Sequence, residues 1–236
     1  MKTTSTRQVQ EHLDRNIPIV STREAASSLR RLGFRHTLAL STWDWLEVSK
    51  GQTRLVLTSM PGRHGAPGVN ALLPTVMGSM LDFAPSAGQP KYRMYLSGDT
   101  LVFDDIALIP HRLPGIDMAL LHLGGTRILK FVKVTMDGKD GVEMLNIIAP
   151  ERAIPLHFND YDVFKSPLSK FKAQVRAAGL EQKLSTSNPA KATVLATALP
   201  HRARPPANKT DIHQFIWRSP DNVSLSQQLL KRFKSI

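Results

Sequence analysis

Residues 118–123, Met118-Ala119-Leu120-Leu121-His122-Leu123, are apolar at alternating and intervening positions alike, with one histidine as the exception. A strand tolerates that pattern when both of its faces are covered, so this run reads as an inner strand of a layered sheet. Pro114-Gly115 precedes it and Gly124-Gly125 ends it. Around it, the first 180 residues alternate strand-like and helix-like patterns joined by short turns, the order of a mixed α and β domain. Strands are predicted at 17–20, 36–40, 45–48, 53–58, 76–83, 92–96 and 153–156. The runs 36–40, 45–48 and 53–58 read as a meander, with Lys50-Gly51 as the turn between the last two. Ser21 and Glu24 have capping-box spacing for a helix that runs to about Leu32 and stops at Gly33. A helical stretch is predicted at 103–109. Asp137 is placed to cap a helix over 139–148, and Ser166-Pro167 opens a last domain helix that ends at Gly179.

Three of the strand-like runs end directly before a side chain that can ligate a metal: Met60-Pro61-Gly62-Arg63-His64, Leu96-Ser97-Gly98-Asp99-Thr100 and Ala153-Ile154-Pro155-Leu156-His157. If the three strands end on one side of a sheet, two imidazoles and a carboxylate meet at its rim, a ligand set used by hydrolytic zinc sites. Taken singly, each residue has an ordinary structural reading. His64 could be a loop histidine, Asp99 a turn or cap carboxylate, and His157 a histidine at the end of a buried strand. His122 reads as a hydrogen-bonded core histidine or one that backs a metal ligand, Asp137 as a cap, and Phe34, Trp43 and Trp45 as packing groups, although tryptophans near a rim can line a substrate cleft.

The chain has 236 residues, of which 42% are hydrophobic, enough to bury a sizeable core. It contains no cysteine, which excludes a disulfide framework and a thiolate metal site. Residues 1–15 carry no apolar secretory stretch, and no run is long enough to span a bilayer, so a cytoplasmic protein is expected. The net charge of +12 points to a polyanionic partner, yet from Glu181 onward nine Lys/Arg face three acids, so half of the excess lies in the last segment. That segment, 185–236, reads as a basic, mostly disordered, low-complexity tail with a short amphipathic helix at 224–233, against a domain at 1–184. Its aromatic residues are not interleaved with the basic ones and no recognition motif is present, which argues against a nucleic-acid reader.

The series Thr58-Ser59-Met60-Pro61-Gly62-Arg63-His64, Tyr95-Leu96-Ser97-Gly98-Asp99-Thr100, residues 115–125 and Ile154-Pro155-Leu156-His157-Phe158-Asn159-Asp160-Tyr161 resembles, in order, the metallo-β-lactamase superfamily. It is closest in kind to that superfamily's branch of uncharacterised metal-dependent hydrolases, which also resembles the ascorbate-phosphate lactonase and acyl-ethanolamine phospholipase groups. The resemblance covers roughly residues 8–180. It implies an αββα sandwich with one or two metal ions at an edge, normally zinc, with manganese or iron as alternatives. It also implies that a metal-activated water hydrolyses a small-molecule, phosphorylated or ester substrate. By position, His64 completes the first metal's set, Asp99 bridges, and His157 serves the second metal, so Asp99 and His157 are the catalytic candidates.

One departure stands out. The family's H-x-H-x-D-H segment, expected just before residues 7–19, is absent, and Glu11-His12 imitates only its last two positions. The expectation is therefore a sandwich incomplete at the N-terminus, with hydrolysis impaired. The rival expectation is a catalytically inactive protein that binds an acidic partner through its basic tail.

Overall fold

A computed structural model of the chain describes residues 10–85, 87–128, 132–158, 167–185 and 214–218. The chain enters through strand β1 (Ile19–Ser21), helix α1 (Arg23–Arg31) and strand β2 (Thr37–Ala39). The helix cap lies one residue beyond the predicted Ser21: the Thr22 hydroxyl accepts from the Ala25 N–H at 3.3 Å. Glu24 does not close a capping box but accepts from the Thr75 backbone at 3.0 Å, tying α1 to a loop fifty residues on.

β2 also departs from expectation. It pairs in parallel with β1 as a separate two-stranded ladder and takes no part in the meander. The meander consists instead of β3 (Trp45–Lys50), β4 (Thr53–Met60), β5 (Gly78–Pro85) and β6 (Tyr92–Leu96), each antiparallel to the next. Between β2 and β3 the chain turns through Trp43, whose φ of 72° lies in the left-handed region. Asp44 stabilises that turn by accepting from the Ser41 N–H at 2.9 Å. Residues 36–40 thus satisfy the periodicity of a strand while the turn after them sends the chain elsewhere.

Beyond β6, a 3-10 turn (Asp104–Ala107) leads into α2 (Leu108–Arg112) and then β7 (Met118–His122). A small ladder of β8 (Arg127–Ile128) and β9 (Val132–Lys133) precedes α3 (Gly138–Ile148), which is followed by β10 (Arg152–Leu156) and α4 (Leu168–Ala177). The main sheet runs β10-β7-β6-β5-β4-β3-β11, where β11 is Gln214–Arg218. β7 is parallel to both of its neighbours, an inner strand as its two-sided hydrophobicity predicted. β11 adds one strand to the segment 185–236 that the sequence reading did not include: its Phe-Ile-Trp centre is β-prone and pairs antiparallel with β3. The predicted helix at 224–233 lies outside the described residues.

Register explains the core. Met80 sits opposite Tyr95, Tyr95 opposite Ala119, and Ala119 opposite Ala153, a fully buried row across four strands. Over it lie Ile106, Ile109, Met144, Leu145, Phe171 and Val175 from the helical segments. Gly141 lets α3 approach closely, since a Cβ there would stand 2.7 Å from the Phe171 ring and 2.9 Å from Leu123. At the far end of the β5–β6 pair, Arg93 grips Asp82, with Nε to Oδ1 at 2.6 Å and Nη2 to Oδ2 at 3.1 Å. A paired, forked contact of this kind is what keeps a 7% exposed carboxylate tolerable.

Candidate metal centre

β4, β6, β7 and β10 all point the same way in the sheet, because β5 is antiparallel to both β4 and β6 while β7 and β10 run parallel to β6. Their C-terminal ends therefore share one edge. Leu96 is opposite Leu120, and Leu156 is opposite His122, so Asp99, His122 and His157 emerge next to one another. Met60, the last residue of β4, opens the loop to His64 at the same edge.

The loops are shaped to deliver these side chains. Gly98 precedes Asp99 with φ of 62°, and a Cβ there would lie 2.5 Å from the Met77 carbonyl oxygen, so no larger residue fits that turn. Ser97 is fully buried; its hydroxyl accepts from the His122 N–H at 2.9 Å and donates to the Gly98 carbonyl at 3.0 Å, fastening the end of β6 to the end of β7. The loop bearing His64 is fastened to the loop bearing Asp99. The Arg63 N–H donates to the Thr100 hydroxyl at 2.9 Å, and the Leu101 N–H donates to the Arg63 carbonyl at 2.9 Å. His157 takes a left-handed backbone, φ 57°, directly after β10. Strain of this kind in a non-glycine residue gathers at functional positions.

Of the three residues singled out from the sequence, two meet. His157 Nδ1 lies 3.5 Å from Asp99 Oδ1 and 3.2 Å from the Leu123 carbonyl oxygen. A proton on Nδ1 serves both acceptors, and that tautomer makes Nε2 the basic nitrogen, the arrangement ligating histidines adopt. His64 stands on the neighbouring loop, and its Nδ1 is buried without a hydrogen-bond partner. Among the described residues no three His, Asp or Glu side chains gather into one group able to hold a metal ion. The orphaned His64 Nδ1, on a loop bonded to the loop that carries Asp99, and the Asp99–His157 pair are nevertheless donors of the kind that suits a zinc-like cation.

His122 is closer to this edge than its core reading implied. Its ring centroid is 5.9 Å from that of His157, and its Nδ1 is 3.5 Å from the Ser97 hydroxyl. The signal is its position: it is the last residue of β7, at the edge where Asp99 follows β6 and His157 follows β10. Arg63 has no signal of this kind, because a single arginine in a glycine- and proline-rich loop carries no periodicity.

The family model for the β-lactamase superfamily domain matches residues 1–158, more than half of the chain. A metal-dependent hydrolase of Carboxydothermus hydrogenoformans is 33% identical over 102 residues, 43% of this chain and 41% of that protein. Another from Opitutus terrae is 32% identical over 120 residues, 46% of this chain and 49% of the relative. The chain thus spans less than half the length of these curated relatives. Two solved structures share its fold, each with a TM-score of 0.60. The isothiocyanate hydrolase from Delia radicum gut bacteria is 16% identical, with 75% of this chain and 67% of that one covered. A possible metal-dependent hydrolase from Veillonella parvula is 18% identical, with 77% and 68% covered.

Proposed function

Because the chain belongs to the β-lactamase superfamily, we propose that it is a metal-dependent hydrolase whose His64, Asp99 and His157 hold the metal, with Asp99 and His157 as the catalytic pair. The observation that carries this reading is the 3.5 Å approach of Asp99 to His157 across the ends of the parallel strands. The partnerless, buried Nδ1 of His64 supports a third ligand from the loop beside it.

A set of imidazoles and one carboxylate suits zinc first, with manganese and iron as alternatives. Bound to such a set, zinc would lower the pKa of a coordinated water into the neutral range and so supply a nucleophile. The chain's own residues do the rest. Leu123 fixes the tautomer and aim of His157 through its carbonyl oxygen. Asp99, with 35% of its side chain exposed, can face both a cation and solvent, and so can orient a water and hold its proton. The substrate is a small molecule with a hydrolysable ester, lactone or phosphoester bond.

Metal should be held weakly, since the proposed set is three side chains, fewer than the four protein ligands of a tight structural site. The test is zinc binding to the dialysed full chain, by titration with a competing chelator, together with hydrolysis of lactone and phosphodiester substrates. Asp99→Ala and His157→Ala should each weaken zinc binding about tenfold or more and abolish zinc-dependent turnover. Unaltered zinc affinity in both variants overturns the ligand assignment.

A further inference from the structure

The loop that delivers His64 also delivers an arginine that the metal centre does not use. Arg63 is half-buried, and its guanidinium carbon stands 4.5 Å above the centre of the Phe103 ring. Its Nε is buried and has no hydrogen-bond partner, and among the described residues its guanidinium enters no ion pair. Of the other half-buried described arginines, Arg93 is matched to a carboxylate and a carbonyl, and Arg54 to Glu47 and the Gly88 carbonyl. Arg15 stacks on Phe34 with its own buried Nη1 lacking a hydrogen-bond partner, but only Arg63 stands on the loop that carries a candidate ligand. Arg63 lines a cavity of about 550 Å³ together with Gly62, Pro67, Asn70, Phe103, Asp104 and Asp105. That cavity is continuous in sequence with both halves of the candidate metal centre, since Gly62 and Arg63 lead to His64, while Phe103 follows the Asp99–Thr100 turn.

A guanidinium stacked on an aromatic ring has its plane fixed and its N–H fork aimed, so little rotamer freedom remains to be lost on binding. A buried N–H without an acceptor is costly, and an oxyanion is the acceptor whose geometry matches the fork. Asp104 and Asp105 line the same cavity and oppose an anion there, but both are exposed, so water screens their charge. From this geometry we infer that Arg63, steadied by Phe103, binds an anionic group of the substrate, a phosphate or carboxylate that lies one loop away from the bond to be cut. The inference rests on the hydrolase reading above for its place in the reaction, and not for the anion site itself.

The test separates the two. Binding of phenylphosphonate, of benzoate and of uncharged dimethyl phenylphosphonate is measured by calorimetry on the full chain, once in EDTA and once with zinc supplied. Arg63→Met keeps the stem over Phe103 and leaves the backbone bonds to Thr100 and Leu101 intact, so the fold is retained; melting curves check this. In EDTA, at least one of the two anions should bind and the neutral ester should not. Arg63→Met should weaken that binding about tenfold or more, and Arg63→Lys should recover only part of it. The tighter of the two anions identifies the source of the charge. Equal binding by wild type and Arg63→Met, binding that appears only with zinc, or no binding of either anion overturns the proposal. His157→Ala, which tests the metal reading, should leave anion binding in EDTA unchanged; its loss in that variant would also overturn an independent Arg63 site.

Discussion

His157 shows at the scale of a single residue how function and stability part company. Its left-handed backbone costs about 1–2 kcal/mol in a residue with a Cβ, and glycine adopts the same φ freely. Two variants that both lack the imidazole, His157→Gly and His157→Ala, should therefore differ in urea unfolding, the glycine form being the more stable by about 1 kcal/mol. Equal midpoints would mean that the turn relaxes without the ring. His64, Asp99 and His157 stood out as candidates in the sequence because each follows a strand by four residues or fewer. Arg63 and His122 did not: the first depends on a contact with Phe103 forty residues away, and the second on the register of β7 against β10. Neither a distant ring contact nor a register can be read from local spacing.

Among the elements, α3 was the most legible, since its start is written locally. Asp137 accepts from the Lys139 N–H at 2.9 Å and the Asp140 N–H at 3.2 Å, while Asp140 accepts from the Asp137 N–H at 2.9 Å, a reciprocal capping box. Burial alone would raise the Asp137 carboxyl, but these amide bonds and the Lys133 charge outweigh it and hold the carboxyl below its usual range. For Lys133, burial opposes the charge and the Asp140 and Asp137 carboxylates overcome it, so the ammonium is held above its usual range. The signs follow. A depressed carboxyl contributes stability above its unfolded pKa near 3.8 and loses it as pH falls through the lower folded value. A raised ammonium contributes below 10.5 and loses its share only as pH rises through the higher folded value. Asp137→Ala should cost about 1 kcal/mol at pH 7, with the gap to wild type narrowing below about pH 3.8, as thermal unfolding at several pH values would read out. A gap independent of pH would assign the cap's contribution to shape alone. α1 was less legible because Glu24 is drawn away to Thr75, a tertiary bond that competes with its local role.

For the whole molecule, strand membership was open to local reading and strand partnership was not. Residues 36–40 and the tail at 214–218 both have the composition of strands, but the first leaves the main sheet and the second joins it. One outer edge is occupied by β10, where Pro155 removes a donor and Leu184 bridges to Ala153, both of which discourage further pairing. The opposite edge is β3, covered by β11 over five registered pairs. A chain ending at residue 213 should expose β3 and self-associate at concentrations where the full chain does not, as light scattering coupled to size exclusion would detect. An unchanged mass would show that β3 is protected without β11. Some ninety residues of chain divide His64 from His157, so an unfolded molecule offers a cation nothing better than isolated side chains. Any ion captured there weighs only on the native side of the folding balance, and each increment of affinity returns as resistance to melting.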